Sequence, residues 1–364
     1  MPAHSRRGVE EDRVRLKNLL AEARRQLAAD PQVGREERLE LEAKLDDQVV
    51  LARHDVLLHA ADGLEVLVAP GEETQVWELA GKGDIPTRVE FAQTFLTRYL
   101  VAAYERLAPY WVLVLSLGTS RLCEGSADRL VEVEEYGFPA EPEIPDAEDA
   151  LPGRIDLFPS PARDERIQQH MRAIDERLAR ALAERQLPLF LIGGTKVLAE
   201  FDAVTQHAQQ VAGQLELVGM EEQSLPVLAE RLEPVREEFR ERQTKQALQA
   251  LDEARDRHQY AEGVQDVWAG AVDHRIRLLV VEESFHAAGT VSSNGRGLRL
   301  VPTPGDPDFT GGGAAVDQEA LPADVATDLV DTLVEESLAS GATVRFVPEG
   351  TLTGHQRIAA ALRY

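Results

Sequence analysis

Cysteine is almost absent from this sequence: Cys123 is the one cysteine among 364 residues. A disulfide framework and a cysteine-rich zinc site are therefore excluded, and the composition fits a reducing compartment. Cys123 lies in an apolar segment, which predicts a small buried side chain rather than a reactive thiol. His170 has no second histidine or cysteine at metal-ligand spacing, so we expect no metal site.

Long hydrophobic runs are also absent. No apolar stretch approaches the roughly 18 residues that a membrane-spanning helix needs. Residues 1–13 are hydrophilic and do not read as an export signal. We therefore expect a cytoplasmic protein with no membrane partner.

Basic residues are outnumbered by acidic ones. Lys and Arg total 39 against 64 Asp and Glu, which gives a formal net charge of −25 at pH 7. A field of this sign opposes the approach of RNA, so any RNA contact must depend on a local group of basic residues. An acidic composition also serves solubility or suits a salty cytoplasm, and composition does not separate these alternatives.

The sequence carries no recognisable catalytic signature. It lacks a nucleophile elbow and a dinucleotide fingerprint, and Gly193-Gly-Thr-Lys196 lacks the spacing of a phosphate-binding loop. A turn from a strand into a helix accounts for those glycines. We therefore assign no catalytic residue and expect no cofactor.

The most apolar stretch, Trp111–Leu117, predicts a buried central strand that ends at Gly118. Alternating apolar residues in Ser120–Val133 predict the returning strand of a hairpin. At 43% hydrophobic residues the chain can build several cores, because a single core stops growing near ~250–300 residues. Strands alternate with helices along the chain, which indicates an α/β fold.

Residues 1–108 are predicted to form an α+β N-terminal domain. Its elements are helices at Val9–Ala28 and around Leu39–Val49, strands at 56–60, 64–69 and 76–79, and a connecting helix at Phe91–Leu107. Asp62-Gly63 predicts the hairpin turn between the first two strands.

Residues 109–261 are predicted to form the middle domain. After the central hairpin, Gly137–Pro161 holds six prolines and six acids, which predicts an extended exposed loop. The elements predicted after it are a helix from Ile167 to Leu182, a strand in Pro188–Gly194, a helix in 195–206, a strand in Leu215–Val218, and a helix from Ser224 to Tyr260 that Pro234 kinks or divides.

Residues 262–364 are predicted to form an α/β C-terminal domain. Its elements are a helix around Val264–Ala271, a strand at Ile276–Val281, a glycine-rich connection, a helix at Ala323–Ala339, a strand at Thr343–Val347, and a final edge strand or turn in Gly354–Tyr364.

Two groups of basic residues are candidates for RNA contact. The first follows the proline-rich loop and consists of Arg163, Arg166, His170 and Arg177; the second shares a stripe of the first helix and consists of Arg13, Lys17 and Arg24. An ordinary solvated helix surface is the alternative for both groups. Neutralising acids lie close to the first group: Asp164, Glu165 and Asp175.

Four segments resemble the bacterial archaeo-eukaryotic release factor families, most closely family 3. They are Ser116–Gly125, Asp164–Leu178, Arg15–Arg24 and Gly354–Tyr364. The resemblance implies a middle domain of RNase H-like topology, without implying nuclease activity. It also implies a C-terminal domain similar to that of Pelota and the class-1 release factors, which there recruits a translational GTPase.

A hydrolytic motif of that group is missing. In the established release factors the loop of the middle domain carries Gly-Gly-Gln, whose glutamine helps to place the attacking water. Here Thr195 follows Gly193-Gly194, and Gly213-Gln214 precedes a predicted strand. An acidic, proline-rich loop is also poorly suited to entering between ribosomal RNA phosphates.

Three functional hypotheses follow. The leading one is a ribosome-binding factor that acts in translation termination, rescue or hibernation, with the ribosome or tRNA as partner and a translational GTPase bound through the C-terminal domain. The second is a hydrolase that cleaves peptidyl-tRNA or tRNA ends with residues 154–170. The third is a stress-linked interaction protein that does not bind the ribosome. A role without catalysis is favoured over an enzymatic one.

Overall fold

The computed structural model describes residues 9–31, 33–46, 63–79, 97–127, 129–142, 161–292, 295–301 and 328–364, with the single residues 87, 89, 91 and 95. Within this part of the chain, no helix has the length and apolar character that crossing a membrane requires. The chain forms two compact units: Leu107–Gln243 is one, and Met1–Arg106 with Thr244–Tyr364 is the other. The three-domain division after residues 108 and 261 stays a prediction.

The N-terminal segment contains helices and a small two-stranded sheet. The elements are α1 (Val9–Ala29), α2 (Arg35–Lys44), β1 (Gly63–Leu67), β2 (Gln75–Leu79) and α3 (Arg98–Arg106). Leu16, Leu20 and Leu27 lie on one face of α1 because they recur at helical spacing, and they form its buried core. α3 begins at Arg98, later than the predicted start at Phe91.

The hairpin predicted at Asp62-Gly63 stays a prediction, because Asp62 and the preceding strand lie outside the described residues. Gly63 is already part of β1, which pairs antiparallel with β2 across residues 68–74. The strand predicted at 56–60 lies outside the described residues.

A five-stranded mixed sheet is the basis of the unit Leu107–Gln243. Its strands are β3 (Tyr110–Val114), β4 (Arg121–Ser126), β5 (Arg129–Val133), β6 (Leu189–Gly193) and β7 (Val211–Glu216). The spatial order is β5-β4-β3-β6-β7, with β3 antiparallel to β4 and parallel to β6. The prediction of an α/β fold with a central strand near Trp111 is confirmed.

Helices cover both faces of this sheet, which is why β3 reads as a continuous apolar run. Trp111 and Leu113 belong to the core that includes α4 (Pro161–Glu184) and α5 (Thr195–Asp202). Val112 and Val114 belong to the core that includes the first part of α6 (Leu225–Asp256). Each residue of β3 is 3% exposed or less.

Of the two outcomes predicted at Pro234, a kink or a division, the division is wrong, because the long helix α6 continues through the proline. A proline inside a helix removes one backbone hydrogen bond and costs roughly 3 kcal/mol. Apolar packing offsets that cost, since Leu228 and Leu232 are fully buried just before the proline.

The C-terminal part adds a four-stranded sheet. Its elements are β8 (Tyr260–Glu262), α7 (Gly263–Val272), β9 (Ile276–Glu282), the hairpin of β10 (Ala288–Val291) and β11 (Leu298–Val301), α8 (Leu329–Ala339), β12 (Thr343–Val347) and β13 (Ile358–Leu362). The sheet order is β12-β9-β13-β8, in which β9 and β12 are parallel. The predicted boundary after residue 261 falls inside β8.

The last strand was expected at an edge or as a turn, and that expectation is wrong. β13 lies between β9 and β8, and Ile358, Ala359, Ala360 and Ala361 are fully buried. Alanine gives a weak strand signal in sequence because it lacks the β-branched shape that strands favour. Here Ala360 packs into the core on one face of the sheet, and Ala359 and Ala361 pack into the core on the other.

Other predicted ends of strands and loops also differ from those in the structure. Ser120–Val133 is two strands rather than one, because Ala127 adopts a left-handed turn with φ 49° between β4 and β5. β7 begins at Val211 and contains Gly213-Gln214, where a side chain on the glycine would overlap Val235 of α6. Within the predicted exposed loop, Phe138 and Ala140 are buried; residues 143–160 lie outside the described residues.

A substitution at Gly125 tests how tightly the central sheet is packed. Gly125 lies directly opposite Tyr110, and a side chain added to it would overlap the tyrosine ring. That ring packs edge-on against Phe190 at 5.5 Å and lies 4.4 Å from the guanidinium of Arg236. We expect Gly125→Ala to lower the free energy of unfolding by roughly 1–3 kcal/mol, because overpacking displaces a buried ring.

The measurement is thermal and denaturant unfolding, with Gly118→Ala as the matched control. A methyl group on Gly118 would lie 3.6 Å from Ser116 Oγ, an ordinary contact distance. Equal stability of the two variants would show that the position of the Tyr110 ring does not limit the packing of this sheet.

Candidate nucleic-acid interface

The outer face of α4 carries a row of arginines. Ile167, Met171, Ile174 and Leu178 bury one side of the helix against the sheet. The opposite side exposes Arg166, Arg172 and Arg180, which recur at spacings that keep them on one face. The same side exposes Glu165 and Glu176, so in the described part of α4 the outward arginines stand among acidic side chains.

His170 and Arg177 turn toward the sheet instead. Both side chains are half-buried. The aliphatic part of Arg177 packs against Gly137, since a Cβ on that glycine would lie 3.4 Å from Arg177 Cδ. His170 lies beside the turn that joins β3 to β4, close to the backbone of Ser116 and Gly118.

The turn beside His170 is held by two serines. The amide of Gly118 donates to Ser116 Oγ at 3.0 Å, and the amide of Ser116 donates to Ser120 Oγ at 3.1 Å. Ser120 is fully buried and also pairs through its backbone with Ala140. The Ser-Leu-Gly-Thr-Ser sequence therefore builds a rigid turn against which α4 packs.

Burial determines the charge of His170. Its pKa is lowered first by removal of the ring from water and second by the positive charge of Arg177, while the backbone of Gly118 and Ser116 opposes the shift. Nε2 is buried and accepts no hydrogen bond from the described residues. The ring is therefore neutral at physiological pH and adds no positive charge to the surface.

Two further residues were considered in the prediction: Arg163, the last member of the first group, and Asp175, one of its neutralising acids. α4 begins at Pro161, so Arg163 lies in its first turn, and the side chain of Arg163 lies outside the described residues. Asp175 does not neutralise the arginine row, because it is 6% exposed and accepts hydrogen bonds from Thr205 Oγ1 at 2.6 Å and the Gln206 amide at 3.2 Å.

The second predicted group lies on α1, in the other compact unit. Arg13 and Lys17 are exposed on α1, beside the face that forms its core. Arg24 is half-buried, and its Nε donates to the Leu20 carbonyl at 3.3 Å. Arg13 and Lys17 are thus available to a partner, whereas Arg24 is partly engaged with its own helix.

Sequence reasoning missed Arg172 and Arg180. These two residues can be identified from the rotation of about 100° per residue along the helix. Measured from the buried positions, that rotation gives the side of α4 that faces away from the core. The predicted stripe through Arg166, His170 and Arg177 lies about a quarter of a turn closer to the sheet, which is why two of its members are half-buried.

Three other candidate features in the described part of the chain give no competing site. The hydroxyl of Thr195, at the glycine turn into α5, donates to Glu216 at 3.0 Å, and this carboxylate would repel a phosphate. Burial raises the pKa of the Cys123 thiol to about 12, which makes it unreactive at neutral pH. In the described part of the chain, no group of three His, Cys, Asp or Glu side chains could hold a metal ion.

Three solved structures are similar to this chain at low identity. Archaeoglobus fulgidus Pelota is 15% identical, with 73% of this chain and 68% of that chain covered and a TM-score of 0.35. Archaeal Pelota, from a model of ribosome-bound Pelota and ABCE1, is 11% identical, with 81% and 73% covered and a TM-score of 0.43. Saccharomyces cerevisiae Dom34, a translation termination-like factor that interacts with Hbs1, is 13% identical, with 74% and 66% covered and a TM-score of 0.37.

None of the curated proteins compared with this chain matches it. The described part of the chain is a mixed α/β structure. Residues 109–275 match the model of the bacterial archaeo-eukaryotic release factor family 3. The segments Ser116–Gly125 and Asp164–Leu178 lie inside the match, so the resemblance predicted from them is confirmed.

The stability of the unit Leu107–Gln243 is predicted to depend on pH through His170. Because its folded pKa is lowered, the unfolded chain binds the proton more readily, and the free energy of unfolding falls as pH drops below the ordinary value of 6.5. We expect His170→Gln to flatten the dependence of the unfolding midpoint on pH between about pH 7 and pH 5.

The control is His258→Gln, since His258 is exposed. An unchanged slope in His170→Gln would mean that the buried ring does not titrate differently in the folded and unfolded states.

Proposed function

We propose that the protein acts in translation as a release-factor-like protein that binds the ribosome, in termination, rescue or hibernation. The observation that carries this proposal is the match of residues 109–275 to the release factor family. The matched segment contains all of α4 and the turn that supports it. The candidate RNA contacts therefore lie in the part of the chain whose ancestry points to translation.

The geometry supports a role through binding. The exposed arginines of α4 are carried by a helix whose other side is fixed in the core, so a partner meets them without ordering a loop. Arginine suits phosphate contact because its planar guanidinium forms paired hydrogen bonds with phosphate oxygens. Such contacts position a protein on RNA without reading its sequence.

The strong overall negative charge requires that binding be local and orientation-specific. With a net charge of −25, the overall field of the protein repels RNA, so the proposal assigns phosphate contact to individual α4 arginines, which stand among exposed glutamates. Arg13 and Lys17 of α1 provide a second contact in the proposal. A ribosome-bound protein of this kind acts in the cytoplasm, and the family resemblance adds a translational GTPase as a partner of residues 262–364.

The proposed mechanism does not include Gly-Gly-Gln chemistry. Gly213-Gln214 lies inside β7, and Gly193-Gly194 forms the turn before α5. Neither pair sits on a projecting loop that could carry a glutamine toward a peptidyl-tRNA ester. We infer that occupancy of the ribosome, rather than hydrolysis, is the activity of the described part of the chain.

The test is co-sedimentation with ribosomes over a series of salt concentrations. We expect saturable binding by the wild type that weakens as salt rises, because phosphate contacts release counterions. Arg166→Glu/Arg172→Glu should bind much more weakly and show a salt slope smaller by about one for each lost phosphate contact.

The matched control is Arg231→Glu/Arg257→Glu. It makes the same change in charge at two exposed arginines elsewhere, so it separates a local contact from a general electrostatic effect. Equal losses in both double variants would contradict a contact through α4. Absence of wild-type binding at low salt would overturn the proposal that the protein binds ribosomes.

A further inference from the structure

Two exposed aliphatic side chains lie at one edge of the central sheet. β3, β6 and β7 are parallel, so their carboxyl ends meet at the same edge. Val114, Ile192 and Leu215 are paired side by side across these three strands. Leu117 and Val218 each come three residues after the paired residue of their own strand, so they lie at the same level beyond the sheet. Their exposed fractions are 41% and 84%.

Gly194 leaves a space between these two side chains. It directly follows β6, which lies between β3 and β7. Neighbouring strands lie about 4.8 Å apart, which puts the ends of β3 and β7 roughly 10 Å apart. A Cβ on Gly194 would lie 3.2 Å from Val218 Cγ2, so a side chain there would fill the space. Leu117 and Val218 are thus the walls of a groove whose floor is the backbone of Gly194; we call it the edge groove.

The loop that carries Val218 is fixed by one arginine. Nη1 of Arg121 in β4 donates to the carbonyl oxygens of Glu221 and Gln223, at 3.0 and 2.9 Å. The same guanidinium is held by Glu132 in β5, with Nε and Nη2 donating to the two carboxylate oxygens at 2.9 and 2.7 Å. The loop is therefore tied to two strands of the sheet.

The turn that carries Leu117 is fixed by the serines on either side of it. Besides the bonds described above, Ser120 Oγ donates to the Ser116 carbonyl at 3.3 Å. A single exposed aliphatic residue is ordinary on a protein surface. Two that are held at one level, on rigid supports and on either side of a glycine, form a preorganised contact surface, which loses little conformational freedom when a partner binds.

The charge beside the edge groove is negative. In the three segments that form it, residues 115–120, 193–196 and 216–223, the charged side chains are three acids and one base: Glu216, Glu221, Glu222 and Lys196. These four give a net charge of −2. Arg121 does not offset it, because its guanidinium is paired with Glu132. Carboxylates in this position attract lysine or arginine and repel phosphate.

We propose that the edge groove binds a basic segment of a partner protein. One aliphatic side chain of that segment inserts between Leu117 and Val218, over Gly194, and its flanking lysines or arginines face the acids. Insertion removes apolar surface of both partners from water, and the opposite charges orient the segment. RNA does not fit this surface, because its phosphates would meet carboxylates. The proposal goes beyond the RNA contact through α4 and uses none of the α4 arginines.

The test is methyl NMR of the intact protein, labelled with carbon-13 in its leucine and valine methyl groups and titrated with the synthetic peptide Lys-Lys-Leu-Lys-Lys. Leu117→Ser and Val218→Ser each remove one residue's signals and so assign them. We expect the signals of Leu117 and Val218 to shift saturably. Lys-Lys-Ser-Lys-Lys should bind roughly tenfold more weakly, because it has the same charge but no aliphatic side chain to bury. Glu-Glu-Leu-Glu-Glu should leave the signals unshifted.

Variants and a nucleic-acid probe complete the test. Val218→Ser should weaken binding of the leucine peptide roughly tenfold, followed through the signals of Leu117. Val14→Ser changes a valine of α1 that is 52% exposed, in the other compact unit, and should leave binding unchanged.

Three results would overturn the proposal. Equal binding of the leucine and serine peptides would show that charge alone accounts for the contact. Shifts of Leu117 and Val218 with oligouridylate but not with the leucine peptide would show that the surface takes RNA instead. Unshifted signals with every probe would show that the groove binds neither. These outcomes are distinct from the co-sedimentation result, in which only α4 and control arginines are changed.

Discussion

The architecture of the middle unit depends on burying β3 on both faces. A strand with apolar residues at every position can face neither water nor a charged surface, so helices must cover both sides of the sheet. α4 covers one side and α6 the other. The covering of the sheet fixes the orientation of α4, and that orientation determines which of its arginines point outward.

The candidate interface therefore follows from the core rather than from a dedicated binding loop. Arg166, Arg172 and Arg180 are exposed because the opposite side of α4 is apolar. His170 and Arg177 lie at the boundary between these two sides, where the Ser116–Ser120 turn and Gly137 receive them. The proposed RNA contact depends on these arginines individually, because exposed glutamates share the same side of α4.

The fold could be predicted from sequence where a pattern is strong and local. The apolar run at Trp111 and the helical spacing from Ile167 to Leu182 identify β3 and α4 because each pattern requires a burial geometry. β13 could not be recognised, because its alanines favour no strand until β9 and β8 enclose them. β8 is too short to show periodicity. The candidate interface was proposed on this helix from sequence, but the face of the helix that points outward could be identified only from the residues that the sheet buries.

The most direct test of the account is cryo-electron microscopy of ribosomes incubated with the protein. The account predicts density for the unit Leu107–Gln243 on the ribosome, with the exposed arginines of α4 within contact distance of ribosomal RNA phosphates. Ribosomes without such density, or bound protein whose α4 arginines face solvent, would contradict it.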